Sequence, residues 1–196
     1  MCKRCEWGTS NELMIKYHDE EWGVPLHDDQ KLFEFFVLEG FQAGLSWQIV
    51  LNKRENFRKA FDYFDPVKVA AYSEKKIQKL TEDASIIRNK QKIAATVNNA
   101  QRFLEIQNEF GSFDKYIWSF VNYQPIQNHF TSLKELPSKT PLSDLISSDL
   151  KKRGFKFVGS TVIYAHLQAT GMVNDHLVDC FRYKEIQSSL PSVSVK

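Results

Sequence analysis

Four residues of this 196-residue chain carry side chains suited to a soft or borderline metal ion, and they lie at its two ends. Cys5 and His18 stand near the start, His176 and Cys180 near the finish. Two thiolates and two imidazoles make the donor set that zinc takes in closed tetrahedral sites. His176 and Cys180 are four apart, so on a helix both side chains point the same way. Cys5 and His18 have no such local relation, and Cys2 lies close enough to Cys5 that other pairings are open. His27, His129 and His166 read as surface or core histidines. If one ion holds all four ligands, it ties the N-terminal segment to a C-terminal helix and leaves no position for a substrate. The chemistry must then lie elsewhere.

A second constellation is aromatic and acidic. Trp7, Tyr17, Trp22 and Trp47 fall in the first quarter of the chain, around the single carboxylate Glu39 in E-G-F-Q-A-G-L-S-W. A carboxylate following Val37 and Leu38 at the end of an apolar helix risks burial, and once buried it needs a partner or a ligand. Such a set can line a ligand pocket. The alternative is tryptophans in a core and Glu39 exposed at a frayed helix end.

The third stretch is K-K-R-G-F-K-F-V-G-S-T, where a helix is expected to end at Gly154, a tight hairpin to run to Gly159, and Ser160 or Thr161 to open the next helix. Glycines let the backbone turn sharply, so a phosphate can approach the amides of the following helix. Lys151, Lys152, Arg153 and Lys156 add the local positive charge that a net charge of +2 lacks. Gly154, Gly159 and Ser160 complete the stretch. The arrangement resembles the helix-hairpin-helix element that grips a DNA backbone without reading sequence, here at about residues 142–171. An ordinary helix-to-helix turn with solvated lysines is the competing reading.

The elements that must position these groups read as helical almost throughout. Thr9 with Glu12 forms a capping-box pattern ahead of a short helix reaching Tyr17 and His18. Asp28 or Asp29 caps a helix carrying Leu32, Phe33, Phe35, Phe36 and Leu38, ending between Gly40 and Gly44. Ser46 caps the next segment, and Asp65-Pro66 and Thr140-Pro141 each put a capping acceptor before proline at the first helical position. Ser73 opens a short charged helix. Residues 86–108 read as one long amphipathic helix with Ile93, Val97, Ala100 and Leu104 on its apolar stripe and Gly111 beyond its end. No run alternates with period two, and no repeat is visible. The expected class is therefore all-α. Residues 1–183 form the folded part, as one unit or as two packed halves with the pocket between them, and the serine-rich stretch 184–196 is expected to be a disordered tail.

Composition sets the outer limits. With 42% hydrophobic and 13% aromatic residues the chain can bury a sizeable core, and 26% charged residues of nearly balanced sign exclude a disordered class. Three cysteines, few and odd in number, fit a reducing compartment, and no stretch approaches the roughly 20 apolar residues of a membrane span. A cytoplasmic protein with no membrane association and no obligate protein partner is expected.

Taken together, the blocks R-C-E-W, Y-H-D-E-E-W-G-V-P, L-E-G-F-Q-A-G-L-S-W, F-D-P-V-K-V-A, W-S-F-V-N, K-K-R-G-F-K-F-V-G and V-N-D-H-L-V-D-C resemble, in order and over nearly the whole chain, the DNA-3-methyladenine glycosylase I family. The resemblance implies a monofunctional enzyme that hydrolyses the N-glycosidic bond of 3-methyladenine in double-stranded DNA and leaves an abasic site. It implies a helical glycosylase architecture whose ends are joined by one structural zinc ion on Cys5, His18, His176 and Cys180. Glu39 matches the family's base-recognition carboxylate and is the candidate catalytic residue. Tyr17 matches its hydroxyl partner, Trp47 the ring that stacks on the extruded base, and Trp7 and Trp22 further wall. Gly44 and Leu45 match the loop that probes the gap left in the duplex. Met14 departs from the pattern, standing where some relatives carry tyrosine. Asp175, near the aspartate used by the wider superfamily, is expected to orient a neighbour or cap a helix. Two other readings compete: a zinc-stapled DNA-binding module without catalysis, which has no use for Glu39, Tyr17 and Trp47, and a helical protein-interaction module, which has no use for either hairpin or pocket.

Overall fold

A computed structural model describes residues 3–189, so Cys2 and residues 190–196, which belong to the expected tail, lie outside the described residues. Eleven α-helices are described: α1 (Glu12–Glu20), α2 (Asp29–Gln42), α3 (Trp47–Asn52), α4 (Arg54–Ala60), α5 (Pro66–Ala70), α6 (Glu74–Glu82), α7 (Lys90–Phe110), α8 (Phe113–Ser119), α9 (Pro141–Lys152), α10 (Ser160–Ala169) and α11 (Phe181–Ser189). Two short strands, β1 (Ile126–Gln127) and β2 (Val173–Asn174), pair in parallel, with Ile126 opposite Val173. Two residues apiece are too short to leave an alternation in the sequence.

Local capping explains most boundaries. The side chains of Asp28, Asp65, Ser73, Asn89, Ser112 and Thr140 each accept an amide of the first turn of the helix they precede. Asp28, not Asp29, caps α2. Asp29 instead reaches across to accept the Phe113 and Asp114 amides at 2.8 Å each, docking the start of α8 on the start of α2. Four expectations are corrected. Asn11 caps α1, accepting from the Met14 amide, while the Thr9 hydroxyl is spent on the Glu6 carbonyl inside a 3-10 turn. The segment after Ser46 breaks at Lys53 into α3 and α4. Helix α7 starts at Lys90, because the Asn89 cap interrupts the run. The serine-rich stretch begins inside α11, so residues 184–189 are helical.

Helix α2 is the spine of the fold. Every residue from Leu32 to Glu39 is buried, which its near-continuous apolar run predicts for a helix enclosed on all sides. Phe33, Phe36, Leu38 and Phe41 enter a large core shared with α4, α7, α8, α9 and α10. Phe35 faces a smaller cluster with Met14, Tyr17, Trp22, Leu51 and Ala169. Between α9 and α10, Phe155 and Val158 are buried and the Ser147 hydroxyl donates to the Val158 carbonyl at 2.6 Å. That bond fixes the turn to the helix before it.

Candidate functional site

The two chain ends meet at a buried cluster. One ligand atom each from Cys5, His18, His176 and Cys180 lies within 4.8 Å of the others. The sulfur–nitrogen separations are 3.5 Å (Cys180 Sγ to His18 Nε2), 3.6 Å (Cys180 Sγ to His176 Nδ1) and 3.7 Å (Cys5 Sγ to His176 Nδ1). Zinc–sulfur and zinc–nitrogen bonds of 2.3 and 2.0–2.1 Å at a tetrahedral angle put sulfur and nitrogen about 3.6 Å apart. The four side chains therefore fit such an ion as they stand. His176 and Cys180 do not lie on a helix as expected. They occupy the turn before α11, held by the bond from the Cys180 amide to the Leu177 carbonyl.

Each imidazole has its other nitrogen engaged. His18 Nδ1 is 2.7 Å from Asp19, which Arg4 holds in turn, and His176 Nε2 is 2.9 Å from the Trp22 carbonyl. Such partners aim the free nitrogen at a metal. The Cys180 thiol is drawn well below its usual range by its hydrogen bond with Cys5, against the cost of burial, with His176 and His18 pulling the same way. Gly8 packs against the His18 ring so closely that a Cβ there would fall 2.7 Å from it. The remaining histidines are elsewhere: His27 on Asp114, His129 on Tyr183, and His166 buried against Phe36.

Beside this cluster a cavity of about 230 Å³ is lined by Trp7, Tyr17, Trp22, Glu39, Gln42, Trp47, Leu136, Ala165 and Gln168. It lies below the roughly 300–1,000 Å³ typical of drug-sized ligands, which suits a single planar base. The aromatic rings form a connected wall. Trp47 and Tyr17 have centroids 5.2 Å apart, Trp7 and Trp22 4.8 Å, and Trp7 lies 5.3 Å from the His18 ring. The Cys/His cluster thus abuts the pocket through Trp7 as well as through the neighbours Tyr17 and His18.

Glu39 is 4% exposed, and its Oε2 has no hydrogen-bond partner. Burial pushes its pKa to about 8. The Trp47 indole N–H is likewise buried without a partner. Tyr17 is held well above the usual phenol range by burial first and by the Glu39 and Glu21 charges second, with Arg54 opposing. A buried carboxyl and a buried indole N–H, both unpaired and both on a cavity, are groups left for a ligand to satisfy.

The structure brings Tyr17, Glu39, Trp7, Trp22 and Trp47 together as expected. Met14 does not line the cavity and lies in the buried cluster that includes Tyr17. Gln42, at the end of α2, also lines it, as do Leu136, Ala165 and Gln168, which are not legible in the sequence because α10 and the residue after the 3-10 turn Leu133–Glu135 reach the pocket only through the tertiary fold. Gly44 and Leu45 follow lining residue Gln42. Gly44 adopts φ +81°, which favours glycine, and Leu45 is 40% exposed. Asp175 is buried and accepts from Gln168 (2.8 Å), Asn128 (2.6 Å) and the Tyr164 hydroxyl, so it orients a pocket residue.

At the end of α9 and in the turn after it, Lys151, Lys152 and Lys156 are exposed, and Gly159 precedes Ser160 at the start of α10 without a side-chain cap. Arg153 differs from them. It bonds Asp149 at 2.8 Å and Glu109 at 2.7 Å and lies over the Phe110 and Tyr116 rings, so its charge is used inside the protein.

Comparison with known proteins gives consistent results. The sequence profile of the methyladenine glycosylases matches residues 7–183. The DNA-3-methyladenine glycosylase 1 of Escherichia coli strain K12 is 52% identical over 181 residues, covering 92% of this chain and 97% of the relative. A crystal structure of 3-methyladenine DNA glycosylase I superposes with a TM-score of 0.89 at 49% identity, covering 91% of this chain and 98% of that one. A tyrosine-to-phenylalanine variant of such an enzyme, in complex with 3-methyladenine, gives 0.88 at 37% identity, covering 90% and 95%.

Proposed function

The chain belongs to the methyladenine glycosylase family, and from that premise we propose how its residues excise 3-methyladenine from DNA. The enzyme releases that base by hydrolysis, and the observation that carries the residue assignment is the unpaired, buried Glu39 carboxyl inside an aromatic cavity of base size.

Methylation at N3 leaves the purine cationic while it is attached to the sugar, so its glycosidic bond is already weak. When that bond breaks, the electron pair leaves with the base, which departs neutral. Water oxygen takes its place on the sugar carbon and gives up a proton. The protein needs to extrude the nucleotide, hold the base and admit water. Extrusion costs least for a damaged base.

In the pocket, Trp47 stacks on the base, and Trp7 and Trp22 close the aromatic wall. Electron-rich ring faces favour a cation. Glu39 is largely protonated in the free pocket at neutral pH, because burial raises its pKa to about 8. A cationic base favours its ionised form, which then accepts hydrogen bonds from the base edge. Neutral adenine offers no such compensation, and selection by charge follows. Tyr17 supports Glu39 from α1.

Outside the pocket, α9, the turn 153–159 and α10 act as a helix-hairpin-helix that grips the duplex backbone, with Lys151, Lys152 and Lys156 facing phosphates and the Gly154, Gly159 and Ser160 backbone allowing close approach. Gly44 and Leu45 enter the space the base has left. The substrate is double-stranded DNA. Cys5, His18, His176 and Cys180 hold one zinc ion whose four positions are all filled by protein, so it braces the fold and supplies no reacting group. The compartment we assign is the cytoplasm. Among the described residues no helix is long and apolar enough to cross a membrane.

Glu39→Gln tests the assignment. Base release should fall far more than affinity for the duplex, whereas equal loss of both would contradict it.

A further inference from the structure

Helix α7 carries a row of polar residues on a face that it buries. Lys92, Thr96 and Asn99 are 7%, 4% and 6% exposed, at the i, i+4, i+7 spacing of one helical stripe. Buried polar groups cost stability unless bonded. Thr96 bonds back to the Lys92 carbonyl, but the other two reach out of the helix to two separate places.

Lys92 Nζ donates to the carbonyls of Phe41 at 2.9 Å and Ala43 at 2.6 Å, at the end of α2 and immediately before Gly44 and Leu45. Asn99 brackets Lys156 in the turn between α9 and α10. Its amide donates to the Lys156 carbonyl at 2.9 Å, and its oxygen accepts the Lys156 N–H at 2.8 Å. Its neighbour Asn98 donates to the Gly154 carbonyl at 2.9 Å. The residue after the bracket, Phe157, sits at φ +55° and is 39% exposed, a strained backbone for a bulky side chain that the Asn99 bonds help to hold.

From this geometry we propose that α7 is the spacer that sets the loop 43–46 against the hairpin 153–159 on the duplex, with Lys92 positioning the loop and Asn98 and Asn99 positioning the hairpin. The proposal rests on the reading of loop and hairpin as duplex-contacting elements. Lys92 and Asn99 are seven residues apart, about 10 Å along the helix axis, or about three nucleotides of one strand. Extruding a base requires one element to push while another holds. Two anchors on one helix keep those elements at a fixed span. Releasing the loop anchor should remove the push and leave the grip.

The test measures, for the full chain, single-turnover base release from a methylated duplex at saturating enzyme, affinity for the duplex, and tryptophan fluorescence on binding free 3-methyladenine. In Lys92→Met, release should slow about tenfold or more while both affinities stay within about threefold. Lys92→Gln, which keeps a donor, should recover part of the rate and replaces Lys92→Met should that variant not fold. Combining Lys92→Met with Leu45→Ala should be no slower than the slower single variant, since both act through one loop. Asn99→Ala should weaken duplex binding and leave free-base binding intact. Full-rate release by Lys92→Met, additive losses in the double variant, or equal loss in all three measurements would overturn the proposal. Full-rate release by Leu45→Ala would overturn the underlying reading of the loop and the proposal with it. A slow Leu45→Ala beside an unaffected Lys92→Met would overturn the anchoring alone.

Discussion

Glu39 should cost this enzyme stability in a pH-dependent way, and Glu39→Gln should return it. The folded-state pKa is raised to about 8 by burial, from an ordinary value of 4.5. A raised acid binds a proton more tightly folded than unfolded. Its contribution is therefore fully present below pH 4.5 and is lost as pH rises, down to a floor above pH 8. At 1.36 kcal/mol per pH unit over that interval the loss sums to about 5 kcal/mol. Glutamine is nearly isosteric, does not titrate, and inherits the same absent partner, so hydrogen-bond losses largely cancel between the two proteins. Other groups titrate equally in both and cancel in the difference. The stability gap between Glu39→Gln and the unsubstituted protein should widen by about 1.4 kcal/mol per pH unit from about pH 5 to 8 and then level off. For a chain of this size that is about 3–5 °C of Tm per pH unit. Thermal or urea unfolding of both proteins across pH 5–9 reads it directly. Curves that run parallel across the whole range would refute the reasoning, because Glu39 would then be ionised and solvated in the folded state. The same substitution should abolish most base release, so stability would be gained where function is lost.

Three further outcomes are expected. Trp47→Ala should weaken binding of free 3-methyladenine by about 5- to 150-fold, from 1–3 kcal/mol of stacking per base, as read by fluorescence or calorimetry. Each of Lys151→Ala and Lys156→Ala should lower duplex affinity and reduce the slope of log K against log salt by about 0.9, whereas Arg153→Ala should leave the slope unchanged and lower the melting temperature instead. Metal analysis of the purified protein should find near-stoichiometric zinc, and Cys180→Ala should lose the metal and melt lower; an unchanged melting curve would contradict a bracing role.

What the sequence makes legible follows the range of the interactions. Caps act over three residues, so Asp28, Asp65, Ser73 and Thr140 announce their helices unaided. Helix α8 has its own cap in Ser112, but where its start docks depends on Asp29, 84 residues away from Phe113. The side chains that define the pocket chemically, Glu39 and the tryptophans, stand out as residue types that need an explanation. Gln42 and Gln168 do not, since an amide on a helix is ordinary until the fold turns it inward. The row Lys92, Thr96 and Asn99 does not stand out in the sequence, and only burial and the partners on α2 and the hairpin give it a meaning. Arg153 shows the reverse case. In sequence it is one of four cations around a hairpin, and in the fold its charge is bound by Glu109 and Asp149.

The most direct test of the account is to incubate the protein with methylated double-stranded DNA and identify the bases set free. Release of 3-methyladenine with unmodified adenine retained is the predicted result. Tight binding without release, or release of unmodified adenine at a comparable rate, would contradict a pocket that selects a cationic base through Glu39.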